Sequence, residues 1–219
     1  MNYLIGDIHG EFSKLLQLIK IIEKDFEPEN DELIFLGDYI DRGPDSYKVV
    51  EYLCKLSVKY KTVFIMGNHE QMLYDTIYKN ESKAIYYQNG GQTTYDSYMA
   101  NTGSFVIPEH HKKILFSGIH YVERNDFIAV HAGINPNYEN PVMCDEFDLM
   151  WIRKEFFNDK KKWKKTVIFG HTPTFFITKE RNTPYIDENK NIIGIDTGAV
   201  YYGYLTAIRM PDRKIYQVG

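Results

Sequence analysis

The sequence predicts an α/β fold built on parallel strands, and three observations carry that expectation. Short apolar runs at residues 3–5, 32–36 and 62–66 alternate with amphipathic stretches at 12–26 and 46–56. That is the strand–helix–strand order of crossover connections. Each run stops at a glycine, Gly6, Gly37 or Gly67, and Asp or Asn follows at once. In parallel sheets, sites form beyond the carboxyl ends of the strands, which is where these polar residues fall.

Each element has its own reason. Phe12, Leu15, Leu16, Leu18, Ile19 and Ile22 recur at helical spacing, and Pro28 and Asn30 end that stretch. Val49, Val50, Leu53 and Leu56 mark one face of the second helix. From residue 70 to about 98 the pattern is helical, interrupted by Asn89-Gly90-Gly91, and a further helix is expected around 109–116. Residues 71–123 therefore read as a helical insertion packed beside or over the site. Runs at 121–122, 127–130, 166–169, 192–196 and 204–209 read as strands, with one helical stretch near 147–157. There is no internal repeat and no Pro/Gly/Ser-rich linker, so the 219 residues are expected to form one domain.

Composition narrows the function classes. A hydrophobic fraction of 43% with 26% charged residues is that of an ordinary globular chain. A formal charge of −4 gives no reason to expect nucleic-acid binding. No apolar run reaches membrane-spanning length, and no basic, long-apolar leader precedes the first motif. With only Cys54 and Cys144, far apart, inert thiols in a reducing cytosol are expected rather than a disulfide.

Five motifs carry the chemistry: Gly-Asp-Ile-His-Gly (6–10), Gly-Asp-Tyr-Ile-Asp-Arg-Gly (37–43), Gly-Asn-His-Glu (67–70), His-Ala-Gly (131–133) and Gly-His-Thr-Pro (170–173). Asp, Asn and His supply the oxygen and nitrogen donors that hold borderline divalent metals. If Ile8 turns to the core, strand alternation puts Asp7 and His9 on one face. Asp38 can bridge two cations with its two oxygens, and Asn68, His131 and His171 each end a later strand. Such a set holds two ions about 3.5–4 Å apart, and a water between them becomes a nucleophile near neutral pH. Arg42 offers a planar fork to phosphate, and Arg153 is a second candidate clamp. His69 neighbours a ligand but is expected to point away from the metals. It would protonate the leaving alcohol, with Asp41 orienting its ring.

These motifs, with Gly67–Met72, Asn89–Gly91, Phe169–Pro173 and Asp196–Val200, resemble the phosphoprotein phosphatase family of metallophosphoesterases, in its compact bacterial and phage branch. The resemblance runs from residue 3 to about residue 208. It implies a calcineurin-like metallophosphoesterase fold, a four-layer α/β/β/α sandwich with a helical insertion. One metal would lie on Asp7, His9 and Asp38. The second would lie on Asp38, Asn68, His131 and His171. It places Arg42, Arg153 and Asn68 at the phosphate and His69 with Asp41 as the acid pair. Mn²⁺ is the expected ion, with Fe or Zn²⁺ as alternatives. The expected substrates are phosphorylated proteins or small phosphoesters, with no nucleic acid, membrane or regulatory subunit as partner.

The favoured function is a serine/threonine protein phosphatase that uses a hydroxide bridging the two metals. The alternative is a symmetrical dinucleoside polyphosphate hydrolase on the same centre. That relative usually has Ala-Arg-Gly where this chain has Asp41-Arg42-Gly43, and Asp in place of Glu70. A non-catalytic phosphoester-binding module is a third reading. Outside the motifs, His110, His111 and His120 read as solvated or structural, and the Lys-rich run at 160–165 as a solvated edge. Asp196-Thr197-Gly198 reads as a turn near the site rather than half of a protease dyad. Tyr86-Tyr87 and Tyr201-Tyr202-Gly203-Tyr204 are divided between core packing and a substrate groove.

Overall fold

A computed structural model describes residues 1–219. In chain order it contains β1 (Asn2–Ile5), α1 (Phe12–Ile22), β2 (Glu32–Phe35), α2 (Ser46–Lys59), β3 (Lys61–Phe64), α3 (Asn68–Tyr78), α4 (Lys83–Tyr86), α5 (Gln92–Thr102) and α6 (Glu109–Leu115). There follow β4 (Tyr121–Glu123), β5 (Phe127–Val130), α7 (Glu146–Trp151), α8 (Lys154–Phe157), β6 (Thr166–Phe169), α9 (Phe175–Thr178), β7 (Tyr185–Asp187), β8 (Ile192–Gly194), β9 (Leu205–Met210) and β10 (Lys214–Val218).

The strands form two five-stranded sheets, ordered β10-β9-β1-β2-β3 and β4-β5-β6-β8-β7. In the first, β1, β2 and β3 are parallel, in register from Asn2 opposite Glu32 and Glu32 opposite Lys61. In the second, β5, β6 and β8 are parallel. β9 and β10 run antiparallel on one side of the first sheet, whose other edge is the parallel β3, and β4 and β7 are antiparallel edges of the second.

Strand alternation builds the layers. Leu4, Ile34, Leu36, Ile65 and Ile208 face Phe127, Ala129, Ile168 and Ile193 in one apolar cluster between the sheets. Their strand neighbours Tyr3, Ile5, Leu33 and Phe35 point outward onto Leu15, Ile19, Val49 and Leu53 of α1 and α2. On the far side, Ile128, Val130, Val167 and Phe169 pack on Leu149 of α7 and on Phe156 and Phe157 of α8. The result is the α/β/β/α sandwich. Central strands buried on both faces read as unbroken apolar runs for this reason.

The structure corrects three local expectations. β7 and β10 went unread because both are antiparallel edge strands, short or only partly buried, without the unbroken buried run of a central strand. The helical stretch at 147–157 is two helices, broken where Arg153 leaves helical geometry at φ −132° and ψ −103°. Asn68 does not end a strand but opens α3. Asn89-Gly90-Gly91 interrupts the helical pattern as expected, since Gly90 leaves helical geometry at φ 104° and kinks the chain between α4 and α5. The Lys-rich edge is anchored by Lys161, which donates to the carbonyls of Pro136 and Tyr138. No helix is long and apolar enough to cross a membrane.

Candidate active site

The site forms where β1, β2, β5 and β6 end. Backbone there leaves strand geometry abruptly. His9, Asp38, Asp41, Arg42 and His171 all have positive φ, between 46° and 69°. Left-handed backbone at bulky residues costs of order 1–3 kcal/mol each and gathers at functional sites. His9 lies past the end of β1 on left-handed backbone, so strand alternation does not set its direction, while Ile8 enters the core as expected. Gly170 is required by close approach, since a Cβ there would lie 2.1 Å from Asp7 Oδ1. That contact lets the His171 N–H donate to both Asp7 oxygens, at 3.1 and 3.0 Å.

Glu70 organises the turn at Asp38. Its carboxylate accepts N–H bonds from Asp38 (2.8 Å), Tyr39 (2.8 Å) and Gly67 (3.0 Å). It is the third residue of α3, the position from which a capping-box Glu reaches back to the helix start. That spacing, Gly-Asn-His-Glu, was the available signal for a positioning role that motif reading passed over. Burial and the nearby Asp38 push the Glu70 carboxyl up to about 8, against the pull of its three N–H donors.

Donor atoms converge on two points. Around the first, His131 Nε2 and His171 Nδ1 lie 3.0 and 2.9 Å from Asn68 Oδ1, and His131 Nε2 lies 3.4 Å from Asp38 Oδ1. Around the second, His9 Nε2 lies 3.4 Å from Asp38 Oδ2. The tautomers are set from behind. His9 Nδ1 donates to the Ile40 carbonyl and His131 Nδ1 to that of Leu36, both at 2.8 Å. Each Nε2 therefore carries its lone pair inward, as in histidine–metal sites, that of His9 accepting from Arg42 Nη1 at 2.5 Å. Burial holds His9, His131 and His171 below the usual imidazole range, so they remain neutral donors.

The carboxylates make the same case. Asp7, Asp38 and Asp196 are all buried. Burial, then repulsion from Asp196 and Asp38, pushes Asp7 well above its ordinary range. Burial raises Asp196 to about 6, its neighbour Asp38 adding to the rise. Burial also opposes ionisation of Asp38, but positive charge on the surrounding imidazoles, whenever they carry it, outweighs burial and lowers the carboxyl below its ordinary range. Facing lone pairs and crowded buried carboxylates are a site short of positive charge. The residues suit two divalent cations, since ligand atoms of His9, Asp38 and His69 gather within 4.8 Å of one another, and so do those of Asp38, His131 and His171.

His69 does not point away from this centre. Its Nε2 is buried without a hydrogen-bond partner, 4.0 Å from Asp38 Oδ2. Its Nδ1 donates to Asp41 Oδ2 at 2.7 Å. Asp41 Oδ1 accepts from the hydroxyls of Tyr86 (2.7 Å) and Thr94 (2.6 Å). The Asp41 N–H donates to Thr94 Oγ1 at 2.9 Å. The segment 71–123 is thus wired into the acid pair. Tyr86 is buried there, not in a groove, and sequence reading could find neither it nor Thr94.

Arg42 and Arg153 line one cavity of about 810 Å³ beside His171, Thr197 and Tyr201. The Arg42 N–H donates to the Gly90 carbonyl at 3.1 Å. Gly90 has φ 104°, and a Cβ would meet the Arg42 side chain at 2.7 Å. Arg153 Nη1 donates to the His171 carbonyl (3.2 Å) and Thr172 Oγ1 (3.0 Å). The break between α7 and α8 places it there. Asp196 accepts from the Gly198 N–H at 2.9 Å, a turn beside the site as expected.

A two-sheet sandwich with a His/Asp/Asn centre and paired arginines is the architecture of a metallophosphoesterase, a hydrolase of phosphate esters or anhydrides. The chain belongs to the calcineurin-like phosphoesterase family, whose match spans residues 3–199. It is 27% identical to the asymmetrical bis(5'-nucleosyl)-tetraphosphatase PrpE of Bacillus cereus strain Q1, covering 100% of this chain and 94% of that one. It is 30% identical to serine/threonine-protein phosphatase 1 of Salmonella typhimurium, covering 95% and 91%. Among solved structures, one provisionally named a diadenosine tetraphosphatase superposes with a TM-score of 0.71, 24% identity and coverage of 99% and 92%. A cold-active protein-tyrosine phosphatase of Shewanella gives 0.63, at 16% identity and coverage of 100% and 80%.

Proposed function

We propose that this protein hydrolyses phosphomonoesters, with phosphoserine or phosphothreonine in proteins as its substrate class. The observation that carries this is the braced His69–Asp41 pair. A serine or threonine alkoxide is a poor leaving group and needs a proton as the P–O bond breaks. A nucleotide leaving from an anhydride is already a stable anion and gains little from an acid. His69 Nε2 faces the centre without a partner. Asp41 holds the opposite nitrogen, and Tyr86 and Thr94 hold Asp41.

Two cations bound by the residues above, Mn²⁺ in our reading, would neutralise phosphate charge and acidify a water to serve as nucleophile. The chain does the rest. Arg42 and Arg153 take the remaining phosphate oxygens as planar forks. Asn68 has an amide nitrogen left for the phosphate once its Oδ1 faces the imidazoles. His69 gives its Nε2 proton to the departing oxygen, and Asp41 stabilises the ring while it is charged.

One observation favours a second reading, hydrolysis of dinucleoside tetraphosphates. The cavity beyond the arginines is large, and Phe175, Phe176, Tyr201, Lys179 and Arg181 line it. Exposed rings beside cations would suit a nucleoside stacked on a polyphosphate. The name of the Bacillus cereus relative agrees with that reading and the name of the Salmonella relative with the first. Metal-stripped protein restored with Mn²⁺ should turn over a phosphothreonine peptide and p-nitrophenyl phosphate faster than diadenosine tetraphosphate. Dominant dinucleotide turnover would replace the first reading with the second.

A further inference from the structure

A second cluster of donors lies away from this centre, between α2 and α6. Glu51 and Cys54 sit three residues apart on α2 and so share a face. His110 and His111 open α6, which packs against α2. Both imidazoles reach the same atom, each Nε2 lying 3.1 Å from Glu51 Oε2. The Cys54 sulfur and both imidazoles present ligand atoms within 4.8 Å of one another. The thiol rests at 3.4 Å on the His110 carbonyl. His111 is buried, and its Nδ1 bonds the buried Tyr98 hydroxyl at 2.8 Å. The other Glu51 oxygen lies 3.4 Å from Lys55 Nζ.

We propose that Cys54, His110, His111 and Glu51 form a zinc site that clips α2 to α6. The donor set is one that zinc takes in tetrahedral geometry, where bonds of 2.0–2.3 Å set neighbouring ligand atoms about 3.3 Å apart. The two 3.1 Å contacts are already close to that edge. Tyr98 stands behind His111 as the outer partner that fixes a ligand's tautomer: with Nδ1–H donating to the phenol oxygen, Nε2 is left to bind. Charge balances, since thiolate, carboxylate, two neutral imidazoles and Zn²⁺ sum to zero. The thiol proton passes to water as the Zn–S bond forms. α2 follows the Asp38–Arg42 loop, and α6 belongs to the same segment as Tyr86 and Thr94. The clip would therefore brace the layer that supports the acid pair.

Sulfur distinguishes this site from the catalytic centre, whose donors are all oxygen and nitrogen. Chelator-treated protein titrated with Co²⁺ should develop a thiolate-to-cobalt charge-transfer band in the near ultraviolet. The band should persist in Cys144→Ser, vanish in Cys54→Ser, weaken in Glu51→Gln and bleach when Zn²⁺ is added. In wild-type protein, Zn²⁺ should slow iodoacetamide alkylation of Cys54, followed by peptide mass, by about tenfold or more. That arm needs no variant to fold. Absence of the band at saturating Co²⁺, a band that follows Cys144 instead, or alkylation indifferent to Zn²⁺ would each overturn the proposal.

Discussion

Asp41 shows how much of this site rests on single side chains. Its two oxygens accept three side-chain hydrogen bonds, from His69, Tyr86 and Thr94. It lies fully buried, on left-handed backbone. If the pair serves as acid, its loss must depend on the leaving group. His69→Asn should lower kcat on a phosphothreonine peptide by about 10²–10⁴-fold. On p-nitrophenyl phosphate, whose phenolate leaves unaided, the loss should be far smaller. Tyr86→Phe should show the same pattern more weakly, because Thr94 still holds Asp41. Equal losses on both substrates would remove the acid role.

At the scale of elements, the strands are held by burial on both faces. Ile208 of β9 is fully buried between the sheets. Ile208→Ala should cost about 2–5 kcal/mol of stability, measured by urea denaturation, with metal binding retained in the folded fraction. The α2–α6 contact gives a pH signature in metal-free protein. Burial alone would raise the Glu51 carboxyl, but hydrogen bonds from His110, His111 and Lys55 draw it down to about 2, below its ordinary 4.5. A carboxyl lowered on folding stabilises above its unfolded value and loses that contribution as pH falls toward its folded one. Wild-type protein should therefore lose stability faster than Glu51→Gln between about pH 4.5 and 2. Parallel melting profiles for the two proteins would contradict this.

At the scale of the whole molecule, the candidate cation ligands come from both sheets. Asp7 and Asp38 follow strands of the first sheet, and His131 and His171 follow strands of the second. Chelation should abolish turnover and lower the melting temperature together, and Mn²⁺ should restore both. Asp38→Asn or His131→Ala should abolish turnover while the chain remains folded by circular dichroism. Wild-type turnover in either variant would sink the two-metal reading.

The sequence by itself determined the chemistry and the parallel strands. Apolar runs ending in Gly-Asp, Gly-Asn or Gly-His mark both a buried strand and a polar turn at its carboxyl end, and both signals are local. It also named Asp7, His9, Asp38, Asn68, His131 and His171 as a set, since motif and order survive without coordinates. Contacts that join distant segments by a single polar atom were out of its reach. Tyr86 and Thr94 meet Asp41 across 45 and 53 residues, and no periodicity marks either. His110 and His111 looked idle until α6 was laid on α2, beside Glu51 and Cys54. The inward turn of His69 was also misjudged, because a helix start, not a strand end, aims that ring. Local pattern encodes which residues bind and which are buried. Only tertiary packing decides which buried polar groups face one another, because the burial that makes such contacts strong comes from elements far apart in the chain.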